Sequence, residues 1–556
     1  MVRKSLFALI IVSLVFVYSC DMSQQKVQKE TKIEEPQQEI VPVEERLNHY
    51  VTVDLKTDLS GLSDSEKEMI KIFINAATLV DDIFWMQTFG DKYPLLEKCK
   101  NENEKKYVEI NYGPWDRLDG MVPFIKGYDK RPIGANYYPA DIKYFQFVDM
   151  KFEDKFSKYT ILRRNNDGSL YTIPYNQAYK EEVTKLAELL RKAAGITEDS
   201  NYSAYLELKA QSILTDEYYD SDIAWMDLKN NIVDFIVGPI EDEDDEFLNT
   251  KCAYESYVLV KDTVWSAKTA KYVALLPELK RMLPCDQKYK EEEVASGNDI
   301  FVCDAIYYSG FCNAGSKTLS VNRPKDPRVH MLKGIRNLQF KNVNQHKFDN
   351  ILKPISELVI DSKQRHHVKF EAFFMNNIFY ELAENLNVKN TITNKGTVKQ
   401  ALKYYFNTIN VASADITRMY LITKLKEMGE LEDVSLMDNY VTYMADLFRS
   451  VRFGTGHPQG KANMVRFYFF KEAGAFTRNE STGMYSVDLE KTKRAIEMLT
   501  EKMIRIQGDG DFNAAKELVE EKGYIREKLE NDLQRISEAG IPKDIIFNQG
   551  EKVLGL

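Results

Sequence analysis

The chain has 556 residues, of which 44% are hydrophobic and 12% aromatic, and these values are typical of a globular protein. One hydrophobic core stops growing well below this length, so two lobes or domains are expected. The formal net charge is -10, from 75 Lys and Arg against 85 Asp and Glu. Because contacts to phosphates require a basic face, this balance argues against a nucleic-acid partner.

The amino terminus has the pattern of a bacterial lipoprotein signal. Arg3 and Lys4 precede an apolar run over residues 6–17, and the run ends at Cys20, which we predict to be the lipidated first mature residue. Residues 21–45 are polar and poor in aromatics, which predicts a flexible tether. We therefore expect a protein held by a lipid anchor in the cell envelope, facing either the periplasm or the outside. No second membrane span is predicted.

The first half of the body mixes helices and strands. Apolar residues recur at helical intervals over residues 63–88 and again over 176–215. Short runs rich in β-branched and aromatic residues predict strands at 232–237 and 257–260, with further strands near 301–302 and 318–321.

The second half is predicted to be almost entirely helical. Helical periodicity covers residues 347–362, 367–386, 396–408, 411–428, 434–452, 460–474, 488–506 and 512–536. The change near 330–345 indicates a lobe boundary, which predicts a mixed α/β lobe over 46–335 and a mostly helical lobe over 336–556. The predicted fold class is α+β.

Two further features have ordinary structural interpretations. Five cysteines follow Cys20 without a C-x-x-C pair, and we expect buried free thiols more than disulfides. The acidic run over residues 241–246 could hold Ca²⁺, but such a run is usually a solvated loop, and that is our prediction.

The stretch Tyr380-Glu381-Leu382-Ala383-Glu384 resembles a zinc-binding helix that lacks its histidines. In the H-E-x-x-H motif two His residues four positions apart share one helix face, and the intervening Glu acts as general base. Here Glu381 keeps the position of that base, while Tyr380 and Glu384 stand where the ligands would be.

Several further segments resemble the dipeptidyl peptidase III family of zinc metallopeptidases, in its shorter bacterial and plant-type branch. The resemblance implies two lobes with a cleft between them and runs in order from about residue 65 to the carboxyl end. The segments that carry it are residues 84–91, 221–231, 237–241, 313–318 and 334–343.

The resemblance also locates the metal ligands, and none of them is present. The first His position carries Tyr380 and the second falls on Glu384 or Asn385, while the two acidic positions of a later helix carry Asn410 and Val411. A further His of the family falls on Gln459. We therefore expect no bound zinc, no catalytic residues beyond a vestigial Glu381, and a cleft in which Tyr380, Glu384 and Asn410 or Val411 face one another.

Two functions remain open at this point. The first is a catalytically inactive homologue that binds peptides at a strand edge, with Asn313, Gly315 and Asn342 as contacts implied by the resemblance. The alternative is a working hydrolase, which acts either through a metal held by Glu381, Glu384 and Asp415 or through metal-free chemistry. Because that ligand set consists of carboxylates, it would suit Mg²⁺, Ca²⁺ or Mn²⁺ better than Zn²⁺.

Overall fold

The computed structural model describes residues 41–294 and 297–556. The predicted signal peptide, Cys20 and most of the tether lie outside these residues. The tether prediction is wrong at its end, because the predicted segment runs to residue 45 whereas a helix already begins at Val43. Within the described part of the chain, no helix is both long and apolar enough to cross a bilayer.

Strands are concentrated in the first two thirds of the chain. Their bounds are β1 (Tyr50–Asp54), β2 (Trp115–Asp116), β3 (Val122–Pro123), β4 (Thr160–Arg164), β5 (Leu170–Pro174), β6 (Val233–Glu241), β7 (Ala253–Lys261), β8 (Asp299–Gly310), β9 (Ser320–Arg323), β10 (Arg336–Phe340), β11 (Phe476–Arg478), β12 (Tyr485–Val487) and β13 (Asp544–Asn548).

Helices occur throughout and become longer after residue 360. Those of the first part are α1 (Val43–Leu47), α2 (Asp64–Thr88), α3 (Tyr93–Lys98), α4 (Glu102–Asn111), α5 (Tyr144–Asp149), α6 (Tyr175–Ala178), α7 (Lys180–Ala194), α8 (Ser200–Thr215), α9 (Tyr219–Asp227), α10 (Thr263–Met282), α11 (Pro327–Lys333), α12 (Lys341–Lys347) and α13 (Lys353–Val359). The rest are α14 (Phe370–Glu384), α15 (Val398–Leu402), α16 (Phe406–Glu427), α17 (Leu436–Val451), α18 (Pro458–Glu472), α19 (Leu489–Asp509), α20 (Phe512–Lys522), α21 (Glu527–Glu538) and α22 (Glu551–Leu554).

A five-stranded sheet organises the mixed lobe, in the order β6-β7-β8-β10-β9. The first three strands run antiparallel to one another, β10 runs parallel to β8, and β9 returns antiparallel to β10. Nearly every residue of β6 and β7 is buried, as is typical of strands covered on both faces. In the strand order given above, β6 and β9 stand at the two edges of the sheet.

The long helix α2 packs on the sheet and begins at a well-defined cap. The Ser63 hydroxyl accepts a hydrogen bond from the Glu66 backbone N–H, and the Glu66 carboxylate accepts one from the Ser63 N–H, which forms a capping box. Its apolar face, which includes Phe73, Val80 and Phe84, is fully buried. This burial explains why the helical pattern over residues 63–88 is so clear in the sequence.

The helical lobe is built around α16. Every residue from Ala412 to Thr423 is buried, including polar ones, so the helix is covered on all sides. It packs against α14, α18 and α19. The prediction of an α+β fold with one mixed and one mostly helical lobe is confirmed.

The lobe boundary predicted at residue 335 is wrong in detail. Strand β10 begins at Arg336 and pairs with both β8 and β9, so a boundary at 335 would cut the sheet. Near the carboxyl end, β13 pairs in parallel with β1, from Tyr50 opposite Asp544 to Asp54 opposite Asn548. The lobes share segments because strands pair across long sequence separations, which a local change in composition does not reveal.

The cysteines agree with the expectation of free thiols. None of the five in the described residues forms a disulfide, and three of them are buried: Cys252, Cys303 and Cys312. Burial raises the pKa of the Cys252 thiol to about 12, which keeps this group un-ionised and unreactive near neutral pH.

Candidate functional site

A cavity of about 250 Å³ lies between the β9–β10 edge of the sheet and four helices of the helical lobe. Helices α14, α16, α17 and α18 all contribute side chains to its wall. We call it the interlobe cavity. Tyr380 and Glu381 of α14 line it, so the stretch singled out in the sequence does lie in the cleft.

Helix α14 positions these two residues through its buried apolar face. Phe373, Phe374, Ile378 and Phe379 are fully buried, and they fix how the helix is rotated against α16 and α17. Glu384 follows one turn after Tyr380 and is exposed. It does not line the interlobe cavity, although its charge is one of those that raise the pKa of the Tyr380 phenol.

Asn410 and Val411 lie on α16 beside the end of α14. The Asn387 amide, just after α14, donates to the Asn410 side-chain oxygen at 3.1 Å and to its backbone carbonyl at 3.2 Å. The two helices are therefore neighbours, as the sequence comparison requires. The residues that α16 contributes to the cavity wall are Asp415 and Arg418, further along the helix, and not Asn410 or Val411.

Glu381 is partly buried and contacts the edge strand of the sheet. Its carboxylate accepts hydrogen bonds from the Asn322 amide at 3.0 Å and from the Ser320 hydroxyl at 3.4 Å, and both donors belong to β9. Burial raises the pKa of Glu381 from 4.5 to about 7, against the opposing effect of the Asn322 hydrogen bond. The partners of this carboxylate are therefore an amide and a hydroxyl.

Asp415 is the centre of a buried charge network in the same cavity. One carboxylate oxygen is 3.0 Å from Arg418 Nη2, and the other is 2.6 Å from Arg466 Nη2. The Gln459 side-chain amide donates to the second oxygen at 3.3 Å. Arg466 is 1% exposed and also donates to the Tyr443 hydroxyl at 2.9 Å. Both oxygens of Asp415 are thus engaged by guanidinium groups.

Arg418 brings its positive charge next to the position of the first missing ligand. Its guanidinium carbon lies 5.8 Å from the centre of the Tyr380 ring, and its Nη1 donates to the Asn376 carbonyl at 3.0 Å. Burial, with the nearby charge of Asp415, raises the pKa of the Tyr380 phenol, so the oxygen stays protonated near neutral pH. A protonated phenol is a poor metal ligand.

These donors do not fit a zinc ion. Zinc prefers imidazole and thiolate ligands, with carboxylate as a supplement. This wall offers a phenol, a carboxylate held by β9, a carboxylate paired with two arginines, and the Asp446 carboxylate, which is paired with Arg449. Val411 supplies no donor atom at all. Across residues 41–294 and 297–556, no three His, Cys, Asp or Glu side chains are grouped so as to hold a metal ion.

The histidines of the helical lobe have other partners. His367 Nδ1 lies 2.7 Å from the Asp438 carboxylate, at the start of α17. His457 is the N-cap of α18 and accepts a hydrogen bond from the Gly460 N–H at 3.3 Å. Neither lines the interlobe cavity, where Gln459 stands instead.

The three residues proposed as peptide contacts do not line this cavity either. The Asn342 side-chain oxygen accepts from the Ala305 N–H at 3.0 Å, and its amide donates to the Ala305 carbonyl at 2.7 Å. The Asn313 amide donates to the Tyr112 hydroxyl at 3.2 Å. Gly315 has a φ of +63° and packs against Arg117. Their role as peptide contacts stays a prediction.

Sequence reasoning missed the residues that dominate the wall. They are Ser320 of β9, Gln339 of β10, Asp446 and Arg449 of α17, and the two arginines that hold Asp415. A signal for the arginines was available, because Arg418 and Arg466 each interrupt a strongly apolar helical stretch. An arginine at a core-facing position requires a buried partner, and Asp415 is that partner.

Comparison with known proteins agrees with the fold. The profile of Peptidase family M49 matches residues 154–383. Nudix hydrolase 3 of Arabidopsis thaliana is 30% identical over 569 aligned positions, which cover 90% of this chain and 73% of that protein.

Two solved structures superpose on nearly the whole chain. Dipeptidyl peptidase III from Caldithrix abyssi has a TM-score of 0.88 at 32% identity, covering 92% of this chain and 99% of its own. The dipeptidyl peptidase III of Corallococcus sp. strain EGB has a TM-score of 0.78 at 30% identity, covering 91% and 96%. The chain therefore belongs to peptidase family M49, the dipeptidyl peptidase III family.

Proposed function

We propose that this protein is a lipid-anchored member of the family that binds peptides in the interlobe cavity without hydrolysing them. The observation that carries the proposal is the Asp415 network. Two guanidinium groups, which are themselves cations, hold both oxygens of Asp415, and one of them, Arg418, lies beside Tyr380 at the first expected ligand position.

The absence of hydrolysis follows from the charges in the wall. A divalent ion would have to displace Arg418 and Arg466 from Asp415, and it would be repelled by both of them. The same argument weakens the alternative metal set of Glu381, Glu384 and Asp415, because Asp415 is fully engaged and Glu384 lies outside the wall.

Glu381 keeps one property of a general base, since its pKa of about 7 matches the pH at which a base is most effective. However, a carboxylate cannot deprotonate ordinary water, whose pKa is about 16, unless a metal or another strong electrophile lowers that pKa. The wall supplies no such group. We infer that Glu381 now orients β9 through Ser320 and Asn322.

Peptide binding is supported by the free edge of the sheet. Strand β9 pairs on one side with β10 and on the other side with no strand in the described residues. Its first residue, Ser320, lines the interlobe cavity. An extended peptide can add to such an edge through main-chain hydrogen bonds, with alternate side chains pointing into neighbouring pockets. The lipid anchor is supported by the sequence alone, through the apolar run that ends at Cys20.

Metal analysis with a hydrolysis assay tests the catalytic part of the proposal. We expect far less than one zinc per chain after incubation with zinc and dialysis, and no chelator-sensitive release of dipeptide from a chromogenic amide. Glu381→Gln is the matched control, because a trace activity that survives this change belongs to a contaminant. One zinc per chain, with release abolished by a chelator and by Glu381→Gln, would overturn the proposal.

Peptide binding is tested separately with fluorescently labelled peptides and anisotropy. Ser320→Tyr places a large side chain at the entrance of the β9 edge, and it should abolish binding. Ser481→Tyr, on the exposed loop between β11 and β12, is the control and should bind as the unmodified protein does. Equal peptide affinity in both variants would show that β9 is not the edge on which the peptide docks.

A further inference from the structure

A second cavity, of about 300 Å³, lies at the carboxyl-terminal end of β9. Arg323, the last residue of β9, lines it, and so do residues 237–240 of β6, the opposite edge of the sheet. The sheet therefore curves so that both of its edges border one space. We call this space the basic cavity, after the side chains described next.

Basic side chains outnumber acidic ones in its wall. Lys158, Lys209, Arg323, Lys325 and Arg328 line the cavity, whereas the acidic lining residues are Asp222 and Asp326. This local excess of positive charge contrasts with the formal net charge of -10 for the whole chain. A basic, enclosed space in an acidic protein concentrates a positive field where an anion could enter.

Three of the five basic groups already have a carboxylate partner. Lys209 lies 3.3 Å from Asp222, Arg328 lies 2.6 Å from Asp326, and Lys325 lies 3.2 Å from Glu241 on β6.

The other two basic groups, Arg323 and Lys158, form no ion pair with any residue that the structure describes. Arg323 is the more informative, because its Nη1 is buried and has no hydrogen-bond acceptor in the described protein. Buried charged donors are almost always paired, so the unpaired Nη1 at this cavity wall is available to an acceptor that enters the cavity.

We propose that the basic cavity binds a carboxylate group of the peptide that docks along β9, with Arg323 and Lys158 as its partners. The guanidinium fork matches the two oxygens of a carboxylate, and Lys158 adds a second positive charge from across the opening. The inference rests on the proposed function and makes it more specific, because it assigns acidic peptides as the ligand class.

The spacing along β9 fixes where in the peptide the carboxylate lies. Ser320 borders the interlobe cavity and Arg323 borders the basic cavity. Three residues of strand span about 10 Å. A peptide paired with β9 therefore places its acidic side chain, or its terminal carboxylate, about three residues from the residue opposite Ser320.

The test uses the purified full chain and a series of acetylated, amidated hexapeptides in which one Asp is moved through each position. Each is compared by calorimetry with the same peptide carrying Asn. We expect one position at which Asp binds about tenfold more tightly than Asn, because the charged hydrogen bonds form only with Asp. Arg323→Gln and, separately, Lys158→Gln should remove this preference. Arg494→Gln, which removes an exposed guanidinium on α19, should keep it.

Equal affinity for Asp and Asn peptides at every position would overturn the inference and leave peptide binding intact. Binding of glutarate and of inorganic phosphate is measured as well, because it distinguishes a carboxylate site from a phosphate site and from no anion site. If no peptide binds but glutarate binds in an Arg323-dependent way, the carboxylate site stands and the peptide-binding function fails. Phosphate binding more tightly than glutarate, or no anion binding at all, would overturn the assignment to a carboxylate. Because Lys158 is exposed, its variant remains informative even if Arg323→Gln folds poorly.

Discussion

The two cavities at the ends of β9 hold arginines in opposite situations. In the interlobe cavity Arg418 and Arg466 are paired with Asp415, so the wall satisfies its own charges. In the basic cavity Arg323 has a buried donor without a partner among the described residues. In the first arrangement the arginines and the carboxylate neutralise one another, and in the second a guanidinium has no ion-pair partner among the described residues.

Breaking the first network should have the largest effect on stability. Asp415→Asn keeps the shape of the side chain but leaves two buried guanidinium groups without a carboxylate, which should lower the free energy of unfolding by about 3–5 kcal/mol. Urea denaturation measures the loss. Asp326→Asn is the control, since its partner Arg328 is exposed and Asn still caps α11, so its cost should stay below about 1 kcal/mol. Similar losses in both variants would contradict the distinction between the cavities.

Replacing one arginine in each cavity by Met compares the two directly. Arg466→Met removes a partner of both Asp415 and Tyr443, and it should cost about 2–4 kcal/mol. Arg323→Met removes a charge that has no protein partner, so the change should stay within about 1 kcal/mol and could be stabilising. Urea denaturation of the two variants measures both changes in the free energy of unfolding. A large loss for Arg323→Met would show that this group already has a structural partner.

Rebuilding the metal site tests whether the arginines, beyond the missing ligands, exclude zinc. Tyr380→His, Glu384→His and Val411→Glu together should restore some zinc binding, because both helices are in place. Adding Arg418→Ala should tighten binding by at least about tenfold, since it removes a nearby positive charge. Competition with a chelating dye measures the affinities. Identical affinities with and without Arg418 would show that this arginine has no effect on zinc binding at the rebuilt site.

A further expected effect is a pH dependence that arises from Glu381. Its pKa is raised from 4.5 to about 7 on folding, so the folded state binds more protons than the unfolded state between these values. Stability should therefore fall as the pH rises through this window, and the cost of the buried charge should be complete above about pH 7.

Glu381→Gln should remove this contribution, which we put at roughly 1–3 kcal/mol between pH 5 and 8. The measurement is the difference in unfolding free energy between the two proteins at each pH, which cancels other titrating groups such as Glu255. A difference that does not change with pH would mean that the Glu381 carboxyl titrates at an ordinary pKa.

Sequence reasoning was most successful where structure is set by local periodicity. The helices α2, α14, α16, α17 and α19 lie close to their predicted positions, as do the strands β6 to β9. These elements bury one face or all of their surface, and burial imposes the pattern from which they were predicted. The position of Glu381 in the cleft was likewise available from its motif.

Charge was the property that the sequence described least well. The acidic run over residues 241–246 was predicted to be a solvated loop, yet Asp244 is fully buried and lies 2.8 Å from Arg117 and 2.9 Å from Arg131. Both arginines are more than a hundred positions earlier in the chain. From the sequence alone, a charged residue is predicted to be exposed unless its partner is known. Only folding brings the two partners together.

The sequence by itself determined the α+β class, the order of the elements and the position of the zinc-helix-like stretch at Glu381, because these depend on neighbouring residues or on motif positions. Only the tertiary structure decided that β10 and β13 join the amino-terminal half, that arginines from α16 and α18 meet at Asp415, and that Arg323 has no partner in its cavity wall. Strand pairing and ion pairing join residues that are far apart in the chain. Such contacts leave no periodic trace in the sequence, because each partner is specified by packing in three dimensions.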